Sequence, residues 1–87
     1  MYIILTYDVK EERVAKVCKY LRQYLNWVQN SVFEGDLTTS ELIQVIDGLE
    51  KLIDTEEDSI RIYMLPREKD LKKLLIGKRY REPENIL

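Results

Sequence analysis

The sequence predicts an α+β domain in the order strand, helix, two short strands, helix, strand, with a C-terminal extension. Three observations predict it. The chain opens on an apolar run, Tyr2 to Tyr7. Two later segments place apolar residues at helical spacing. Between and after them lie extended runs rich in β-branched and aromatic residues.

The first strand covers about residues 2–7 and is apolar on both alternating faces: Ile3, Leu5 and Tyr7 on one, Tyr2, Ile4 and Thr6 on the other. A half-exposed strand would alternate with polar residues, so this one is expected to be covered on both sides. A helix follows to about residue 25. Val14, Val17, Cys18, Leu21, Tyr24 and Leu25 form its apolar face, and Arg13, Lys16, Lys19 and Arg22 spread over the other side.

The segment Trp27 to Gly35 is long for one strand between two helices. A kink or bulge near Gln29 to Ser31 is expected to divide it. The second helix covers about residues 39–53. Thr38 with Glu41 is a capping-box pair, and Leu42, Val45, Ile46, Leu49, Leu52 and Ile53 form the apolar face, with Ile43 alongside. Gly48 in mid-helix costs up to about 1 kcal/mol relative to alanine and has no evident role in the sequence. An acidic turn, Asp54 to Asp58, leads to a strand over residues 59–65 that Pro66 closes. The tail from residue 66 is basic, ends on Ile86-Leu87 and is expected to carry a short helical turn and an end strand.

This order is the split βαβ, ferredoxin-like βαββαβ arrangement, spanning residues 1–87 as a single domain. Its helices cover one sheet face. The two-sided apolar first strand therefore predicts a homodimer packed through the open sheet faces, with the tail crossing to the partner.

Composition narrows the chemistry. The chain has 87 residues, no histidine and one cysteine. Without histidine there are no Ser-His or Cys-His nucleophile pairs and almost no zinc sites. Cys18 cannot form an internal disulfide and is expected to pack. Chemistry must use carboxylates, Lys, Tyr, Ser or Thr, and a hard cation with oxygen ligands. No run reaches the roughly 18 apolar residues of a membrane span, and no secretory leader is evident at the N-terminus; no membrane role and a cytoplasmic location are expected.

The net charge of −2 hides an uneven distribution. Residues 10–22 hold five basic and two acidic groups, residues 34–58 one basic and nine acidic, residues 67–81 seven basic and two acidic. Basic segments of this kind can meet phosphate backbones locally, although a single charge run is most often a solvated helix face.

Asp8 closes the first strand. With Glu11 three residues on it has the form of a helix cap. A carboxylate at a strand end is also placed to face a cleft. One carboxylate is a poor magnesium site, but a two-fold axis near Asp8 would bring a second. Arg13 and Lys16 are by default solvated, and become phosphate contacts if that face meets nucleic acid. Tyr7 and Phe33 read as packing, Trp27 as a core or edge residue able to stack on a base, and Ser31 as a bulge or turn residue.

Several strings together resemble the CRISPR-associated Cas-two (Cas2) family. They are Tyr7-Asp8-Val9, Arg13 and Lys16-Val17, the string Val28-Gln29-Asn30-Ser31-Val32-Phe33-Glu34-Gly35, and the basic ending Gly77-Lys78-Arg79-Tyr80-Arg81-Glu82-Pro83. The resemblance spans almost the whole chain, and the Val28 to Gly35 string is its specific part. It implies a homodimer in which the two Asp8 side chains share Mg2+, or another divalent cation such as Mn2+. It implies phosphodiester cleavage of single-stranded RNA or double-stranded DNA. It also implies a partnership with the Cas-one (Cas1) integrase, in which the dimer bridges integrase dimers and holds prespacer DNA. Asp8 is then the catalytic and metal-binding residue, Arg13, Lys16, Lys78 and Arg79 bind nucleic acid, and Tyr7, Ser31 and Phe33 support the site. Two positions depart from the pattern: Val14 stands where an arginine cluster is common, and Trp27 where a basic residue is frequent. A non-catalytic DNA-binding adaptor is the alternative, and an unrelated ferredoxin-like module, such as a regulatory domain or a ribonuclease toxin, is a third.

Overall fold

In the computed structural model, residues 1–77 are described. The elements are β1 (Tyr2–Asp8), α1 (Glu11–Leu21), β2 (Asn26–Gln29), β3 (Val32–Asp36), α2 (Thr39–Leu52) and β4 (Ser59–Leu65), followed by a short 3-10 turn, Glu68–Asp70. The four strands form one antiparallel sheet in the order β2-β3-β1-β4. The expected ferredoxin-like α+β architecture is present.

Strand alternation decides what reaches the core. Ile3 and Leu5 of β1 and Phe33 of β3 are fully buried with Val17 and Leu21 of α1 and Val45 of α2, and Leu49 of α2 is buried beside them. Leu5 stands opposite Phe33, and Ile3 opposite Gly35. A Cβ on Gly35 would crowd Leu25, so the missing side chain lets the chain after α1 close on the sheet. The other face carries Tyr2, Ile4, Thr6 and Asp8 from β1, Glu34 from β3 and Arg61 and Tyr63 from β4.

The expected division of the third segment is present. The β2–β3 register shifts between Trp27 and Gln29, and a turn at residues 30–31 follows. Asn30 takes φ 37°, a left-handed conformation that asparagine tolerates.

Gly48 also acquires a reason. A Cβ there would fall inside the hydroxyl end of the Tyr20 ring. Tyr20 crosses from α1, and its hydroxyl donates to the Gln44 carbonyl at 2.9 Å. The glycine is the notch that admits the ring between the helices.

Two expectations need correction. First, α1 ends at Leu21, not near residue 25. Its bonding tightens to i→i−3 at Gln23 and Tyr24, and the chain turns back into β2 at Asn26, although Leu25 remains buried as expected. Second, Ile46 does not join the buried stripe of α2; it is exposed, like Ile43. The expected short helical turn of the tail is present at Glu68–Asp70. Beyond it Lys73 lies on the open sheet face, its ammonium 2.6 Å from Glu34 Oε1 and 5.9 Å from the centre of the Tyr2 ring. Tyr2 donates to the same Glu34 oxygen at 2.9 Å. The chain's own tail therefore covers the Tyr2 end of the open face. Toward Asp8, Tyr63 and Arg61 stay exposed. The end strand expected around Ile86-Leu87 lies outside the described residues.

Candidate active site

Asp8 is the last residue of β1, an inner strand, and pairs with Ser59 at the start of β4. Strand parity puts it on the open face with Thr6, whose partner across the ladder is Arg61. Its side chain is exposed, and no hydrogen bond or ion pair holds it among the described residues. The capping role expected from Asp8 and Glu11 is absent: the cap of α1 is Lys10, and no side chain bonds there as a cap. Asp8 stays in the sheet, so its carboxylate stands clear of the helix it precedes.

The carboxylate at the entrance of α1 belongs to Asp58, 48 positions from Lys10. Its Oδ1 accepts the Lys10 N–H at 2.9 Å, and its Oδ2 accepts Arg13 Nε at 2.6 Å. Arg13 also reaches Glu57 Oε1 at 2.9 Å. The Arg13 guanidinium beside Asp58 holds that carboxyl well below the usual carboxylate range, against the opposing effect of burial. Arg13 is raised in turn, first by its bond to Asp58 and then by Glu57. Arg13 is thus neither a solvated helix residue nor a free cation, because its guanidinium is bonded within the chain to Asp58 and Glu57.

Lys16 differs. It is exposed, as are Lys19 on the same helix and Arg22 just past its end. Lys78 and Arg79 lie outside the described residues. Tyr7 points into the helix layer, its hydroxyl 2.9 Å from Cys18 Sγ, and its backbone N–H donates to the Ser31 carbonyl at 3.1 Å. Its ring lies 6.1 Å from that of Phe33. Tyr7, Ser31 and Phe33 are thus joined beside the end of β1. Trp27 is half-buried and donates from Nε1 to the Asn30 carbonyl at 3.0 Å, which stabilises the turn.

Sequence reasoning missed Asp58 and Arg61. Asp58 was hidden in an acidic turn that reads as solvated. Arg61 could have been found from period-two counting, since it shares the parity of Ser59, the residue opposite Asp8. A groove of about 420 Å³ between α2 and β4 is lined by Ile46, Leu49, Ile53, Ile60 and Ile62 together with Asp58 and Ser59. Asp8 does not line it and stands on an open surface, which suits a polymeric ligand better than an enclosed one.

The fold and site define a small ferredoxin-like protein with a free carboxylate at the end of an inner strand. The profile of the family described as CRISPR associated protein Cas2 matches residues 1–73, and the chain belongs to that family. Among its relatives, the CRISPR-associated endoribonuclease Cas2 of Pyrococcus furiosus is 56% identical over 72 residues, covering 78% of this chain and 85% of the relative. CRISPR-associated endoribonuclease Cas2 3 of Thermodesulfovibrio yellowstonii is 46% identical over 86 residues, covering 99% of this chain and 98% of the relative. A solved structure described as the crystal structure of cas2 superposes with a TM-score of 0.88 at 39% identity, covering 100% of this chain and 98% of that one. Streptococcus pyogenes Cas2 superposes with a TM-score of 0.73 at 35% identity, covering 85% and 99%. Among the described residues no helix is long and apolar enough to cross a membrane.

Proposed function

We propose that this protein is a metal-dependent endonuclease of CRISPR spacer acquisition, acting in the cytoplasm and cutting phosphodiester bonds of single-stranded RNA or double-stranded DNA through Asp8. The observation that carries this reading is the Asp8 carboxylate, exposed at a strand end and held by no side-chain partner among the described residues. Relatives named as endoribonucleases support the reaction class.

The donor chemistry fits a hard cation, because Asp8 offers carboxylate oxygen. No group of three metal-capable side chains occurs among the described residues, so one chain offers half a site. A homodimer related by a two-fold axis near Asp8 would supply the other half. Mg2+, or Mn2+, when held there, supplies positive charge that polarises a phosphate oxygen. The chain's own residues do the rest. Lys16, Lys19 and Arg22 attract the phosphate backbone, and Tyr7 and Phe33 hold the end of β1 against the helix layer.

A second reading, a non-catalytic adaptor that holds prespacer DNA and bridges dimers of the Cas1 integrase, is favoured by those same exposed cations on and just after α1. They give a DNA-facing surface that needs no chemistry at Asp8. The Asp8→Ala variant separates the two. Cleavage of RNA and duplex DNA with added Mg2+, and assembly and integration with Cas1, are measured in parallel. Lost cleavage with intact integration supports a nuclease site that integration does not need. Unchanged cleavage overturns the role of Asp8. A monomer by light scattering at micromolar concentration overturns the shared site.

A further inference from the structure

Asp58 is the most completely partnered carboxylate of the described chain. Its side chain is fully enclosed. Oδ1 accepts from Lys10 N at 2.9 Å and Arg13 Nη2 at 3.1 Å, and Oδ2 from Arg13 Nε at 2.6 Å and Asp54 N at 2.9 Å. An ionised carboxylate has about four lone-pair sites, so its capacity is filled. The two-toothed arginine contact also fixes direction, which a lysine could not do.

One of these bonds lies just beyond Asp8, next to its place in the ladder. In the ladder Asp8 pairs with Ser59, the residue after Asp58. Two residues beyond Asp8, the Lys10 N–H is held by Asp58 itself. The span 8–10 is therefore tied at both ends to residues 58–59. Since no described group bonds the Asp8 side chain, the backbone beneath it sets where its carboxylate points.

We propose that Asp58 and Arg13 form a positioning pair that acts through Asp8, fixing the backbone of residues 8–10 so that the carboxylate leaves the sheet in one direction. The proposal rests on the reading of Asp8 as the catalytic carboxylate. It makes Arg13 a structural cation instead of a phosphate contact. A reacting group displaced by about 1 Å loses on the order of 100-fold in rate.

The test uses the full-length protein with Asp58→Asn, Arg13→Gln, the double variant and Asp8→Ala. Thermal unfolding, amide hydrogen exchange at Lys10, RNA affinity across a salt series and single-turnover cleavage are measured. The expected result is a folded protein with faster exchange at Lys10, cleavage slowed by about 10- to 100-fold, and RNA affinity and salt slope unchanged. The double variant should be no slower than the slower single one, because both residues act as a unit. Wild-type cleavage in Asp58→Asn beside an inactive Asp8→Ala overturns the pair while leaving Asp8 in place. A reduced salt slope in Arg13→Gln also overturns it, by showing a phosphate contact. Wild-type cleavage in Asp8→Ala removes the reading of Asp8 and the positioning role with it. If Asp58→Asn does not fold, Arg13→Lys, which keeps the charge and loses the fork, takes its place with the same expected and overturning results.

Discussion

The hydroxyl of Tyr7 meets the thiol of Cys18 at 2.9 Å, joining β1 to α1 one residue before Asp8. Burial, and next the Cys18 contact, push the Tyr7 phenol up to about 12 from 10.0. A raised phenol favours its neutral form in the fold. Its stabilisation is complete below the unfolded value and is lost as pH rises from there through about 12. Tyr7→Phe should therefore flatten the alkaline limb of the stability curve, followed by urea unfolding with tyrosinate absorbance as the titration signal. An unchanged limb would show that Tyr7 does not couple to folding.

The acid limb belongs to Asp58. Arg13 holds its folded-state carboxyl below the ordinary value, so the ion pair stabilises the fold fully above the carboxylate range. That contribution drains away progressively below about pH 4. Asp58→Asn should be less stable at neutral pH and lose less on acidification. Circular dichroism melts between neutral and acid pH measure both, and parallel curves for the two proteins contradict the assignment.

At Gly48, helix propensity and packing oppose each other. Alanine is the better helix former by about 1 kcal/mol, yet its Cβ would collide with Tyr20. Gly48→Ala should destabilise by roughly 1–3 kcal/mol, the usual cost of overpacking. Adding Tyr20→Leu should recover part of that loss in a urea series. A more stable single variant would mean that the ring moves aside freely.

The α2 capping box gives a local comparison. Thr38 Oγ1 accepts the Glu41 N–H at 3.1 Å, and Glu41 Oε1 accepts the Thr38 N–H at 2.9 Å. Thr38→Ala should cost about 1 kcal/mol, measured by the shift in urea midpoint. Phe33→Ala, in the fully buried core, should cost roughly 3–5 kcal/mol and provides the upper end of the same scale.

The contrast between Thr38 and Asp8 shows what the sequence discloses. Both precede a glutamate three residues later, and only Thr38 caps. The capping pattern is a local signal, and for α1 it was overridden by a carboxylate 48 residues away. Periodicity disclosed the strands, the helices and the parity that puts Tyr7 inside and Asp8 outside, because those depend on near neighbours. The end of α1 at Leu21 was not legible, since Tyr24 and Leu25 continue the apolar pattern while the backbone turns toward β2. Asp8 was legible by its position at a strand end. Asp58 was not, since nothing within the acidic turn distinguishes the residue that enters the interior from those that remain in water.

The strand order also fixes when the Asp8 end can form during synthesis. β1 is made first, yet both its neighbours, β3 and β4, are made later. Asp58 arrives only after both helices. A nascent chain shorter than that has its first strand without one flank and its Asp8 end unanchored. The N-terminal strand is thus among the last to be locked in place, and the open carboxylate is set only once the chain around it is nearly complete.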